Sequence, residues 1–411
     1  MPLKYTATEV LQDRWWIGAL ALGVSLVATP IVRWLAYRAK IVDRPDDLLK
    51  PHGRPVAYLG GVAMCMGLLA GLAADITIMP DVARHWESIL SDLPRLELWN
   101  LADNPLWKVF AIAAAAVLIT AVGLLDDLYD LTPRQKILGQ VLAAAILLLG
   151  GIGQKMAMVV LGPMGLHLPV WLVVSISSVA CVILVICTCN ATNLLDGLDG
   201  LCGGVTGIIA VGYLILAVWL AVWGNFPGTD GLRVAICLAM AGAVLGFLPY
   251  NIPPASIFMG DAGSMLLGFF VAVMMAMFCQ EGTARWLLAA MGVFALPILD
   301  TGLAVARRAL SGKGIFSGDR SHLYDQLVDR GMTVQRVVGL FYVLAGGAAT
   351  VAVLVAIFFR LRYAVVFYAV LGILIVIFFY RLGMITPAPR PPGNAGAGQP
   401  PSMDHADAQP K

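Results

Sequence analysis

Four oxygen-bearing side chains recur at every third position in Asn190-Ala-Thr-Asn193-Leu-Leu-Asp196-Gly-Leu-Asp199-Gly. On a helix they form one drifting polar stripe, and the glycines between the acids permit close backbone approach or a break. Acids and amides are hard oxygen donors that suit Mg²⁺ or Mn²⁺ and not zinc; the competing reading is a capping and packing motif between helices. A second acidic group reads Gly123-Leu-Leu-Asp126-Asp127-Leu-Tyr-Asp130, followed by Arg134, Lys136 and Gln140. Adjacent helical residues point about 100° apart. Asp126 and Asp127 therefore cannot share one ligand position: one can face a metal and the other a substrate, unless the pair is only a solvated acidic helix end.

A third group, Phe258-Met-Gly260-Asp261-Ala-Gly263-Ser264, opens an apolar run. Its Asp is either a plain N-cap or a carboxylate beside backbone N–H groups where a phosphate–metal complex would sit. Phe258 is a stacking surface for a base or an interfacial anchor. Cations come from Lys50 and His52 in Lys50-Pro-His52-Gly-Arg-Pro, and from Arg307, Arg308, Arg320 and His322. Alone they read as lipid or topology signals. Beside acids able to bind a divalent ion, they complete the composition needed to hold a pyrophosphate.

The elements that position these residues are apolar. Of 411 residues 60% are hydrophobic and 13% charged, with mean hydropathy +0.84, whereas soluble domains carry about 25% charged residues. The net charge of +2 and the high hydrophobicity exclude disordered and nucleic-acid-binding classes. The apolar residues gather into about eleven runs long enough to approach a bilayer span: 15–37, 56–77, 104–124, 138–153, 168–189, 201–223, 232–250, 264–279, 286–305, 335–359 and 361–380, the fourth being marginal. No alternating ten-residue pattern suits a barrel, so the runs are helices. The first is too long for a secretory leader and is read as a retained span. Seven cysteines without a CxxC pair are read as small buried hydrophobes.

The expected fold is an all-α integral membrane protein, a polytopic bundle of about eleven helices over residues 1–384. The Pro-, Gly-, Ala- and Gln-rich stretch 385–411 is expected to be a disordered cytoplasmic tail. Alternate connections hold roughly sixteen against roughly ten Lys and Arg, which places the richer set and the C-terminus in the cytoplasm. All five chemistry-bearing connections fall in the richer set, so they are expected to share one cytoplasmic face. A secondary transporter also uses intramembrane acids and broken helices, but it predicts charges at mid-membrane and an inverted repeat, and no repeat is visible. A membrane scaffold leaves five one-sided polar connections unexplained.

In this order the motifs resemble those of the polyprenyl-phosphate N-acetylhexosamine-1-phosphate transferase family, over roughly residues 40–330. They are Val42-Asp43-Arg44-Pro45 through Lys50-Pro-His52 to Gly60-Gly61; Gly-Leu-Leu-Asp126-Asp127 with Lys136 and Gln140; Asn190-x-x-Asn193-x-x-Asp196-Gly-Leu-Asp199-Gly; and Met259-Gly-Asp261-x-Gly-Ser264. The first loop and Pro297-Ile-Leu-Asp300-Thr301 look more like the bacterial branch using UDP-N-acetylglucosamine or related UDP-sugars than like the muramoyl-pentapeptide branch.

The resemblance implies transfer of a HexNAc-1-phosphate, GlcNAc-1-phosphate first, from a UDP-sugar to undecaprenyl phosphate in a bacterial inner membrane, with UMP released. It implies Mg²⁺, with Mn²⁺ as an alternative, held by Asp261 and Asn193. Asp126 and Asp127 match the acidic pair assigned to the lipid phosphate or the metal; Lys136 and Lys50 match basic positions near the phosphates. Phe258, Asp196, Asp199 and Asn190 fall on the uridine and donor side, and Arg320 and His322 in the loop closing on sugar and pyrophosphate. A homodimer is a further expectation from the resemblance. The chain departs from the bacterial branch at Leu49, where that branch often has Arg, and in Ser321-His322-Leu-Tyr324-Asp325, which keeps one His of a His-x-His-His cluster. The second departure bears on the choice of sugar more than on the reaction.

Overall fold

The structure is a computed structural model that describes residues 6–43, 55–95, 98–166, 168–224, 230–279, 284–310 and 322–384. A short helix, α1 (Ala7–Gln12), leads into α2 (Trp15–Ala39), and a two-residue antiparallel pair, β1 (Val42–Asp43) with β2 (Val56–Ala57), precedes α3 (Gly60–Ile78). The next connection carries α4 (Val82–Asp92) and α5 (Leu98–Asp103), ahead of α6 (Pro105–Tyr129) and α7 (Pro133–Leu149). Then come α8 (Met156–Leu161), α9 (Val170–Leu195), α10 (Leu201–Trp223), α11 (Asp230–Asn251) and α12 (Gly260–Cys279). The chain continues through α13 (Ala284–Val293), α14 (Ala295–Leu310), α15 (Leu323–Asp329), α16 (Val334–Phe358) and α17 (Leu361–Arg381). The expected tail at 385–411 lies outside the described residues.

The chain is an all-α polytopic membrane protein. Among the described residues nine helical spans are long and apolar enough to cross a bilayer, or ten when α13 and α14, bent by 74°, are counted together as one span. The bend falls where Pro297 offers no N–H to the carbonyl of Val293. The marginal run at 138–153 folds as α7, whose 17 residues reach about 25 Å at 1.5 Å per residue, short of the roughly 30 Å hydrocarbon core.

Helix starts follow local chemistry. Asn104 Oδ1 accepts from the N–H groups of Leu106 and Trp107 at 3.0 and 3.3 Å ahead of Pro105, and Thr132 forms a capping box with Gln135 ahead of Pro133, both placing Pro where no N–H is needed. Asp130, at φ +49°, ends α6.

One helix organises the rest. Every residue of α12 except Asp261 is buried, as an all-round apolar helix requires, and α3, α6, α9 and α13 pack around it. Small residues allow the approach: a Cβ on Gly123 would come within 2.5 Å of the Ala262 Cα. Thr192 Oγ1 donates to the Ser264 carbonyl at 2.8 Å. The N-terminus of α12 thus sits centrally at one end of the bundle, ringed by the ends of α6 and α9 and the start of α7. By contrast, α17 presents Val366, Ile373, Leu374 and Phe378 outward, the composition of a lipid-facing helix.

Candidate active site

Four helices each bring one or two polar side chains to that end of the bundle. The Lys136 ammonium, from the first turn of α7, lies between two carboxylates: it contacts Asp126 on the last turn of α6, and it donates to Asp261 Oδ2 on α12 at 2.8 Å. Asn193, on the last turn of α9, donates from Nδ2 to Asp261 Oδ1 at 2.8 Å and to Ser264 Oγ at 3.0 Å. Side-chain exposure is 7% for Asp126 but 29% for Lys136 and 28% for Asp261. The cluster is therefore open enough to meet a ligand, yet shielded enough for its charges to act strongly.

Asp126 and Asp127 diverge as their helical positions require. Asp126 Oδ1 also accepts from the Leu131 N–H at 2.9 Å, closing the α6–α7 turn. Asp127 faces the other way: Oδ1 accepts from the Asp261 N–H at 2.8 Å and Oδ2 from the Ala262 N–H at 3.2 Å. It caps α12 from a neighbouring helix and places a negative charge at the positive end of that helix. Asp261 is thus not the cap of its own helix, and its carboxylate is left to face Lys136 and Asn193. Gly260, at φ +68°, makes the turn possible; a Cβ there would collide with the Asp127 carboxylate.

The stripe from Asn190 to Asp199 is only partly one face. α9 ends at Leu195, and Asp196 stands at its C-cap, because the Gly197 and Gly200 positions break the helix. Asn190 Nδ2 bonds to Gln140 Oε1 at 3.1 Å and to the Ile186 carbonyl at 2.7 Å. Burial, and then the charges of Asp261, Asp127 and Asp199, hold the Asp196 carboxyl well above its usual range. Asp199 turns away and accepts from the Ala255 N–H at 2.9 Å, tying down the loop before Phe258. The half-buried Phe258 ring lies 5.9 Å from the Tyr58 ring. Burial and the Asp43 carboxylate push the Tyr58 phenol up from its ordinary value.

From the ninth connection, His322 Nδ1 bonds to Asp300 Oδ2 at 2.8 Å, and its ring stacks on Tyr324 at 5.5 Å. The Tyr324 hydroxyl donates to the Leu194 carbonyl at 3.0 Å, next to Asn193. Arg307 and Arg308 are buried, and Arg307 Nη1 donates to the Met384 carbonyl at 2.9 Å. Lys50, His52 and Arg320 lie outside the described residues.

The expected site residues Asp126, Lys136, Asn193 and Asp261 are thus brought into contact, Asp127 stands directly behind them, and Asp199 is diverted to the backbone. Tyr58 and Tyr324 carry no sequence signal. Asp300 has one, a carboxylate inside an apolar run, and Ser264 another, its place in Gly-Asp-x-Gly-Ser.

Asp126, Asp261 and Asn193 are hard oxygen donors, and an ammonium already bridges the two carboxylates, so the donor set fits a hard cation. No group of three or more His, Cys, Asp or Glu among the described residues could enclose a metal.

A model of glycosyl transferase family 4 matches residues 109–279, the stretch from α6 to α12 that contains all of the cluster. The chain is 31% identical over 350 residues to the decaprenyl-phosphate N-acetylglucosaminephosphotransferase of Mycobacterium leprae, covering 80% of each protein. It is 27% identical over 327 residues to the probable undecaprenyl-phosphate N-acetylglucosaminyl 1-phosphate transferase of Bacillus subtilis, covering 78% of each. To the phospho-N-acetylmuramoyl-pentapeptide-transferase of Staphylococcus aureus it is 36% identical over 141 residues, 34% of this chain and 40% of that one.

Proposed function

Because the chain belongs to the polyprenyl-phosphate N-acetylglucosamine-phosphotransferases of glycosyl transferase family 4, we propose that it transfers a HexNAc-1-phosphate, GlcNAc-1-phosphate first, from a UDP-sugar to undecaprenyl phosphate. The observation that carries this reading is the Lys136 ammonium between the Asp126 and Asp261 carboxylates, with Asn193 on Asp261. Four helices, α6, α7, α9 and α12, build it at one end of the bundle, where a lipid headgroup and a soluble nucleotide can meet.

The acceptor phosphate oxygen attacks the β-phosphorus of the donor. The new O–P bond forms as the bond from that phosphorus to the bridging oxygen breaks; UMP leaves, and the lipid carries a pyrophosphoryl sugar. A phosphate monoester has its second pKa near 6 and is largely ionised at neutral pH, so the main barrier is bringing two anions together. Lys136 opposes that charge, and the family resemblance assigns Lys50 and Arg320 to the same task. Asp126 orients the acceptor and takes its residual proton; Asp261 and Asn193 are the residues that would hold Mg²⁺, or Mn²⁺ in its place, and Asp127 holds the backbone that carries Asp261. When bound, the ion supplies charge neutralisation at the pyrophosphate. Asn190, Asp196, Phe258 and His322 line the donor side.

The Lys and Arg asymmetry supports a cytoplasmic site in a bacterial inner membrane, and a homodimer belongs to the same proposal. Purified protein with undecaprenyl phosphate, Mg²⁺ and a panel of UDP-HexNAc donors should release UMP and form the lipid product with one of them. Folded protein that releases no UMP from any donor would sink the reading. UDP-MurNAc-pentapeptide belongs in the panel, because a 141-residue stretch of the chain is 36% identical to the muramoyl-pentapeptide transferase.

A further inference from the structure

Asp300 is a buried carboxylate with a defined job. It lies on α14 and is 1% exposed, and both of its oxygens are taken at the start of α15: Oδ2 pairs with His322 Nδ1 at 2.8 Å, and Oδ1 accepts from the Leu323 N–H at 2.7 Å. Burying a carboxylate is costly unless it is paired and hydrogen-bonded. A serine or asparagine would satisfy one backbone N–H at lower cost, so capping alone does not account for an acid here. What an acid adds is an acceptor-only partner for the imidazole, because an ionised carboxylate forces the proton onto the facing ring nitrogen.

The contacts continue from there toward the cluster. The His322 ring lies parallel to Tyr324, 5.5 Å away with 8° between planes. The Tyr324 hydroxyl holds the Leu194 carbonyl at 3.0 Å, and its ring occupies the space that a side chain at Gly197 would need. The imidazole is thus fixed through Nδ1 on one side and by its face on the other, while Nε2 bonds to no described residue.

We propose that Asp300 is the positioning residue for His322: it keeps the proton on Nδ1 and fixes the ring plane, so that Nε2 is the atom presented to the sugar-diphosphate of the donor. The ligand's chemistry rests on the transferase reading above. The pairing resembles the carboxylate–imidazole pairs that set tautomer and orientation in other enzymes.

The test compares His322→Gln, Asp300→Asn and the double variant in lipid nanodiscs, reading kcat and KM for the donor. Asp300→Asn turns an amide N–H₂ or a weaker acceptor toward Nδ1. Each single variant should lose on the order of 10- to 100-fold in kcat/KM, and the double should lose no more than the larger single loss, as coupled groups do. Losses that multiply in the double would overturn the proposal, and so would a His322→Gln enzyme with wild-type kcat/KM, whether or not Asp300→Asn folds. The ¹⁵N shifts of His322, assigned by their loss in His322→Gln, give a readout independent of turnover. The proton should reside on Nδ1 in the wild type and redistribute in Asp300→Asn; a wild-type ring protonated on Nε2 alone would refute the arrangement. A wild type that releases no UMP fails the transferase reading, and the shifts still decide the role of Asp300.

Discussion

Replacing Asp127 by Asn separates a structural carboxylate from a reacting one. Both Asp127 oxygens accept backbone N–H groups, from Asp261 at 2.8 Å and Ala262 at 3.2 Å. Asparagine keeps one acceptor and must aim its N–H₂ at the other donor. One charge-assisted bond, about 1.5–3 kcal/mol, is lost, and so is the favourable charge at the helix N-terminus, about 0.3–1 kcal/mol at a typical site. Asp127→Asn should therefore destabilise the protein by about 2–4 kcal/mol. It should also lower turnover, because the α12 end that aims Asp261 is released. Asp261→Asn is the counterpart. It removes one of two carboxylates crowded around Lys136 without touching the helix cap, so it should abolish UMP release while leaving the melting midpoint close to wild type. Tryptophan-fluorescence melting in nanodiscs, run beside UMP release, reads both quantities. An Asp127→Asn protein as stable as wild type but inactive would refute the capping assignment and make Asp127 a reacting group.

Lys136→Met should lower turnover by 10²-fold or more, equivalent to about 3 kcal/mol of lost charge stabilisation, and kcat should fall further than donor affinity; wild-type kcat in this variant would exclude Lys136 from the phosphate site. Gly260→Ala should be poorly tolerated, since it combines φ +68° with a collision against the Asp127 carboxylate; a loss of about 1–3 kcal/mol is expected from the backbone alone, and an unaltered melt would contradict it. Asp196 supplies a pH test. Its carboxyl is held above the ordinary 3.8, so between that value and its raised one the folded state binds more protons than the unfolded chain, and stability falls as pH rises. Asp196→Asn removes this penalty, so its melting midpoint relative to wild type should climb as the pH rises above the ordinary carboxylate range; a difference that does not change with pH would count against the shift.

Much of this protein follows from sequence order alone. Apolar runs of about 20 residues admit helices as the ordinary way to satisfy the backbone in lipid, so the spans and the exclusion of a soluble fold need no tertiary knowledge. Even the divergence of Asp126 from Asp127 follows from the 100° step between helical neighbours. Which of the two faces the ligand does not. That depends on where the N-terminus of α12 arrives, 134 residues later, and on Asp127 meeting its N–H groups. The fate of Asp199 was equally invisible, because the Ala255 N–H it bonds belongs to a loop that no periodicity describes.

Helical period is a local property, legible from residue types within a turn or two. The direction of a side chain's hydrogen bond depends on the crossing of helices whose approach is set by Gly61, Gly123 and Gly263 packing backbone against backbone. The sequence determined which residues could do the chemistry and on which end of which helix they stand. Only the tertiary structure decided that Asp127 caps, that Asp261, Asp126 and Asn193 converge on Lys136, and that Asp300 meets His322, because each of these is a contact between segments whose relative placement no local rule specifies.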